Sequence, residues 1–198
     1  KKQISMEKVT IKRKEYNVVS EINEHTFKVE KDGVFYFAKQ FAIRSQEFYD
    51  FQYNYKKIKN AGVMIPKLIR VDKSSGFFLL EWIEGKTIFD ELLEHDLDDQ
   101  ILEKIFEFNY KCRVNKIAIN FNPQNYVISN NVLYLLNYET IPYARKDDFS
   151  ECGIRLWTYT REFRELLQSK GLKVDLKRVR PEYEENKALV LTVIKFYR

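Results

Sequence analysis

IAINFNPQNYVISNNVLYLLNYE, Ile117–Glu139, is the stretch on which the reading of this chain turns. A compact polar cluster (Asn120, Asn122, Pro123, Gln124, Asn125) precedes two short apolar runs, Tyr126-Val127-Ile128 and Val132-Leu133-Tyr134-Leu135-Leu136. Ser129-Asn130-Asn131 between them is a turn signal, because Asn tolerates the left-handed backbone that joins antiparallel strands tightly. The spacing predicts a β-hairpin with amides at both ends: Asn120 and Asn125 ahead of its first strand, Asn137 just after its second. Such amides serve either turn chemistry or a functional loop.

The 198 residues fit one domain, or one domain with two lobes. Hydrophobic residues at 44% and aromatics at 15% exclude wholesale disorder. No apolar run approaches the ~20 residues of a membrane span, and the N-terminal KKQISMEKV lacks the apolar core of a signal peptide, so no membrane partner is expected. Cys112 and Cys152 are too few for a disulfide scaffold, which points to a reducing, cytoplasmic setting. Neither His25 nor His95 lies at ligand spacing from a cysteine, which argues against a zinc site. The net charge of +5 is spread among acidic residues and is a slight hint of a polyanionic partner.

Residues 1–15, with Lys1, Lys2, Lys8, Lys12, Arg13 and Lys14, read as a solvated basic arm. Three strands follow, Tyr16–Ser20, His25–Glu30 and Val34–Phe41, the last two joined by Lys31-Asp32-Gly33, a strong hairpin signal. Lys39 in the third strand is either a lysine reaching solvent from a sheet edge or a placed cation. Phe48, Phe51, Tyr55 and Ile58 recur at helical spacing within Arg44–Asn60, and Ala61-Gly62 supplies the stop. Val63–Asp72 and Phe77–Leu80 complete five strands and one helix in an N-terminal lobe, 1–85. The remainder, 86–198, reads as a compact helical lobe around the 117–139 hairpin. Its helices are Thr87–Leu93, Asp99 to about Asn115 capped by Asp98, Cys152–Ser169, and Glu182–Tyr197 after Pro181. Tyr143–Ser150 reads as a charged segment.

In this order of parts the chain resembles the protein-kinase-like superfamily in its small forms, the Rio-type, tRNA-modification-associated and aminoglycoside-phosphotransferase-like kinases, and above all a compact bacterial serine/threonine-kinase-like protein. The resemblance covers roughly Tyr16–Glu139. It implies an α+β, two-lobed fold with a five-stranded antiparallel N-lobe sheet, one helix and a small, mainly helical C-lobe. Phe37-Ala38-Lys39 matches the strand lysine that holds nucleotide phosphates, with Asp50 or Glu47 as its helix partner. Glu81, Trp82 and Ile83, in a hinge at 81–85, match the segment that receives an adenine. Asn120 stands at the catalytic Asp, Asn125 at the metal-binding Asn, and Asn137, with Glu139 two residues on, at the metal-binding Asp.

The resemblance therefore implies ATP and Mg2+ as cofactors, but the letters have changed. An Asn amide carries no negative charge and cannot act as a base near neutral pH, and magnesium prefers anionic oxygens. The loop between the first two strands, Ser20-Glu21-Ile22-Asn23-Glu24-His25, has no glycine to cradle phosphates. The expectation is a pseudokinase with weak or no phosphoryl transfer that retains nucleotide binding. One alternative is an active atypical kinase using Lys39, Asn125 and Glu139. Another is an RNA- or protein-binding module whose footprint is Lys170, Lys173, Lys177, Arg178 and Arg180 with the N-terminal lysines.

Overall fold

In a computed structural model that describes residues 7–198, the first sheet has six antiparallel strands. They are β1 (Lys8–Ile11), β2 (Lys14–Asn23), β3 (Thr26–Lys31), β4 (Val34–Gln40), β5 (Leu68–Asp72) and β6 (Phe77–Glu81), in the order β1-β2-β3-β4-β6-β5. The expected five-stranded sheet is corrected by β1, which lies inside the segment read as a solvated arm. Val9 and Ile11 point inward, 5% and 0% exposed, between outward Lys8 and Thr10. That period of two is the mark of a half-buried strand. Lys12 and Arg13 turn the chain into β2 at φ 49° and 66°. Such a left-handed pair is ordinarily supplied by Asn-Gly, so this hairpin carries no signature in the sequence. Lys1 and Lys2 lie outside the described residues.

The sheet curls around its own core. Val9, Ile11, Tyr16, Val29, Ala38, Phe77 and Leu79 form one apolar cluster. The backbone N–H of Lys12 donates to Asp72 Oδ2 at 2.8 Å, linking the β1–β2 turn to the end of β5. Asp72 also accepts the Ser74 N–H at 3.1 Å and its hydroxyl at 2.7 Å. These donors, the Lys12 amide foremost, hold its carboxyl at a pKa of about 2. Phe78 alternates with Phe77 and Leu79 and faces the other way. There α1 (Gln46–Ala61), whose Phe48 N–H donates to the Ser45 hydroxyl at its start, sets Phe48 and Phe51 on Phe78 at 4.6 and 4.4 Å between ring centroids.

The chain divides into two compact units: residues up to Lys56 with Pro66–Ile83, and Lys57–Ile65 with Glu84–Arg198. The second unit contains β7 (Lys86–Thr87), α2 (Ile88–Glu94), α3 (Asp99–Val114), β8 (Ile117–Ile119), β9 (Tyr126–Ser129), β10 (Val132–Leu135), β11 (Thr140–Pro142), α4 (Arg161–Ser169) and α5 (Glu182–Phe196). Two small sheets, β10-β9-β7 and β11-β8, run through it. The expected small, mainly helical C-lobe is corrected as well. The second unit carries five short strands in two sheets beside its helices, and α1, one of the two longest helices, starts in the first unit.

α3 begins as its sequence predicts, with the Asp98 carboxylate accepting the Ile101 N–H at 2.9 Å. The helix expected over Cys152–Ser169 is broken. Phe149–Gly153 is a π turn, Ile154–Leu156 a 3-10 turn, and α4 starts only at Arg161. The cause is packing. A Cβ on Gly153 would lie 2.4 Å from the Phe149 ring and 2.9 Å from Phe121, and the fully buried Trp157 is bonded to the carbonyl of Phe121 at 2.7 Å. No described helix is long and apolar enough to cross a membrane.

Candidate functional site

The ladder between β8 and β11 positions the Asn-rich stretch. Ile119 pairs with Thr140, Ala118 with Ile141 and Ile117 with Pro142. Asn120 follows Ile119 and Glu139 precedes Thr140, so the pairing brings both to the same end of the ladder. Each strand has three residues, too few for periodicity to reveal either in the sequence.

From there the loop closes on itself. Asn120 Oδ1 accepts the Asn122 N–H at 2.7 Å and the Asn125 side-chain amide at 3.2 Å. Asn122 in turn caps a 3-10 turn, Pro123–Asn125, accepting the Gln124 N–H at 3.0 Å. The Tyr126 hydroxyl donates to the Asn120 carbonyl at 2.6 Å. β9 and β10 form the predicted hairpin, turned by Asn130 and Asn131 at φ 49° and 62°. The Leu136 N–H returns to the Asn125 carbonyl at 2.7 Å. Asn137 Oδ1 then accepts the Glu139 N–H at 2.9 Å. In an extended segment Asn137 and Glu139, two residues apart, would share one face. The structure instead makes this an Asx turn, to which the alternation of an extended strand does not apply.

A buried floor supports the loop. Phe121 packs edge-on to Phe149 at 5.1 Å, while Tyr126 and Phe149 meet Trp157 at 5.0 and 5.5 Å. Beneath lies a cluster that sequence reasoning missed. Asp148, 1% exposed, accepts from Asn109 Nδ2 (3.1 Å), the Ser150 N–H (3.0 Å) and the Ser150 hydroxyl (2.7 Å) on one oxygen. Its other oxygen takes the Tyr143 hydroxyl (2.8 Å) and Arg113 (3.3 Å). Burial pushes this carboxyl's pKa up, but the Ser150, Tyr143 and Asn109 donors outweigh it and the net shift is downward.

The expected nucleotide residues lie in the first unit. Lys39 sits on β4, between β3 and β6, so it is not a sheet-edge lysine. Its ammonium lies over the rings of Phe41 and Phe51, 5.6 and 5.5 Å from their centroids. Its expected helix partners are Asp50 and Glu47. Both are exposed, and Asp50 accepts from Gln46 at 2.8 Å. At the expected hinge, the Glu81 N–H donates to the Lys67 carbonyl at 2.9 Å and Ile83 is buried. Trp82 packs on Phe37 at 4.4 Å, with the Lys28 ammonium over its ring at 4.3 Å. The expected phosphate-covering loop is a tight turn: β2 runs on through Asn23, and Glu24 and His25 reverse the chain into β3.

No family model and no curated protein matches the chain.

The loop's donor set does not make a strong magnesium site. At the expected positions Asn120, Asn125, Asn137 and Glu139 it offers three amides and one exposed carboxylate, and the Asn120 and Asn137 amide oxygens already accept hydrogen bonds. No group of three or more His, Cys, Asp or Glu among the described residues is placed to hold a metal ion. The basic stretch is partly structural as well. Arg178 donates to the Leu92 carbonyl at 2.6 Å, pairs with Asp96 at 2.8 Å and stacks on Tyr159 at 3.9 Å, and the Lys170 ammonium lies 5.6 Å from the centre of the Phe89 ring.

Proposed function

We propose that the chain is related to ATP-dependent phosphotransferases of the serine/threonine-kinase-like kind, that it binds a nucleotide, and that its phosphoryl transfer is weak or absent. One observation carries this reading. Among the described residues the Asn120 and Asn137 side chains engage only through Oδ1, as acceptors from Asn122, Asn125 and Glu139. An aspartate would supply the same acceptor to the same donors, so the loop has the form of one built around carboxylates while lacking their charge. Without a carboxylate to take the substrate proton or hold magnesium against the phosphates, positioning is all the loop can contribute. The same order of strand lysine, helix, strand pair and hinge that carried the resemblance supports a nucleotide as the ligand, with Lys39 toward its phosphates and Glu81–Ile83 toward its base.

Thermal melting with ATP tests this reading. At a concentration about 100 times its Kd, ATP adds roughly 2.7 kcal/mol, which for a chain of this size raises the melting temperature by about 5–10 °C. The expected rise is the same with EDTA as with magnesium. A rise that requires magnesium would show a working metal site, and no rise in either condition would remove the nucleotide reading.

A further inference from the structure

The second unit holds a cavity of about 380 Å3 between α3, the basic stretch and α5, within the roughly 300–1,000 Å3 range of small-molecule sites. Its floor is apolar: Leu97, Leu102 and Leu189 are each less than a tenth exposed, and Trp157 is fully buried. Its wall carries three acids and three bases, Asp96, Asp99 and Glu185 against Lys177, Arg178 and Arg180.

These charges do not cancel within the cavity. Arg178 neutralises Asp96, Arg164 pairs with Glu185 at 2.6 Å, and Lys195 pairs with Asp99. Every acid on the wall thus has a cation of its own, two of them from outside the cavity lining. Lys177 and Arg180 are left over: among the described residues neither side chain has an ion pair or hydrogen bond. Arg178 between them is held on Tyr159 and the Leu92 carbonyl, which fixes the segment that presents both. A cationic rim over a buried apolar floor is complementary to a molecule with an anionic group at one end and an apolar body at the other.

We propose that this cavity is a binding site for a small amphiphilic anion, with Lys177 and Arg180 receiving the anionic group and Leu97, Leu102, Leu189 and the Trp157 indole the apolar body. The proposal does not rest on the nucleotide reading. Phenyl phosphate is a suitable probe, with inorganic phosphate and phenol as its separate halves. The chain has two tryptophans, so a Trp82→Phe background leaves Trp157 as the reporter of occupancy by fluorescence, with calorimetry on the unsubstituted chain as the second measurement. The expected result is saturable binding of phenyl phosphate at least tenfold tighter than either half alone. The Lys177→Glu/Arg180→Glu variant is expected to weaken it a further tenfold or more without changing the melting temperature, since both side chains are exposed. If that variant melts early, Lys177→Gln/Arg180→Gln is read instead, with the same direction expected. Phenyl phosphate binding no tighter than phosphate, or equal binding by the variant, would overturn the proposal.

Discussion

Two polar clusters of the second unit use similar side chains to opposite ends. Around Asp148 a carboxylate is buried, and five donor contacts from Asn109, Arg113, Tyr143 and Ser150 surround it. Around Asn120 the cluster is exposed, neutral and tied by its own amides. A negative charge thus stands where it staples α3 to the turn at Phe149, and none stands among the amides of the Asn120 cluster. Burial makes the first cluster a matter of stability, because an uncompensated partner in a dry interior is costly. Exposure makes the second one cheap to change, because water satisfies whatever is left unpaired.

The difference can be broken most severely at Asp148. Asp148→Ala leaves Arg113 and the buried Asn109 without their acceptor, and the expected loss is about 3–5 kcal/mol in denaturant unfolding. A loss below ~1 kcal/mol would mean that water reaches the cluster. Trp157→Phe touches the floor shared by both regions: it removes the indole donor from the Phe121 carbonyl and trims a fully buried side chain. The expected cost is roughly 2–3 kcal/mol by the same measurement. At the mild end, Asn120→Ala is expected to cost no more than ~1 kcal/mol, since its partners are exposed or remain bonded within the loop. A cost as large as that of Asp148→Ala would erase the distinction between the clusters.

Acid sharpens the same comparison. Asp148 and Asp72 both have folded-state pKa values below the ordinary 3.8, Asp72 at about 2. A depressed carboxylate stabilises the fold above its unfolded value, and that stability is lost as pH falls through the folded value. Melting temperature is therefore expected to drop between about pH 4 and pH 2, and Asp72→Asn is expected to flatten part of the drop while lowering stability at neutral pH. The amide loop contributes nothing to this slope, so Asn120→Ala should leave the acid profile's shape unchanged.

Much of the first sheet was legible because its turns declare themselves. Asp32-Gly33 turns at φ 52° and 79°, and Asn130-Asn131 repeats the device in the later hairpin. The first hairpin was not legible, because Lys12 and Arg13 adopt the same left-handed geometry without a residue that prefers it. The missing strand then hid the sixth member of the sheet and, with it, the role of Asp72 as the residue joined to the first turn. In the loop, the spacing of Asn120, Asn125 and Asn137 could be read, but not the β8–β11 ladder beside it. Asp148 escaped for a different reason. In Tyr143–Ser150 one of two adjacent acids among charged neighbours looks solvated, and only Ser150, two residues on, hints at a cap. What buries it is contact with Asn109 and Arg113, far away in sequence.

The proposed function gives the loop the form of a phosphotransferase loop without its charge. It is tested most directly by comparing ATP turnover, with magnesium, in the unmodified chain and in Asn120→Asp/Asn137→Asp. Both substitutions preserve the acceptor that each position already uses, so the variant is expected to fold normally. The account predicts turnover near the limit of detection in the unmodified chain and a rise of at least tenfold in the variant. Equal turnover in the two, at the rate of a working kinase, would contradict it.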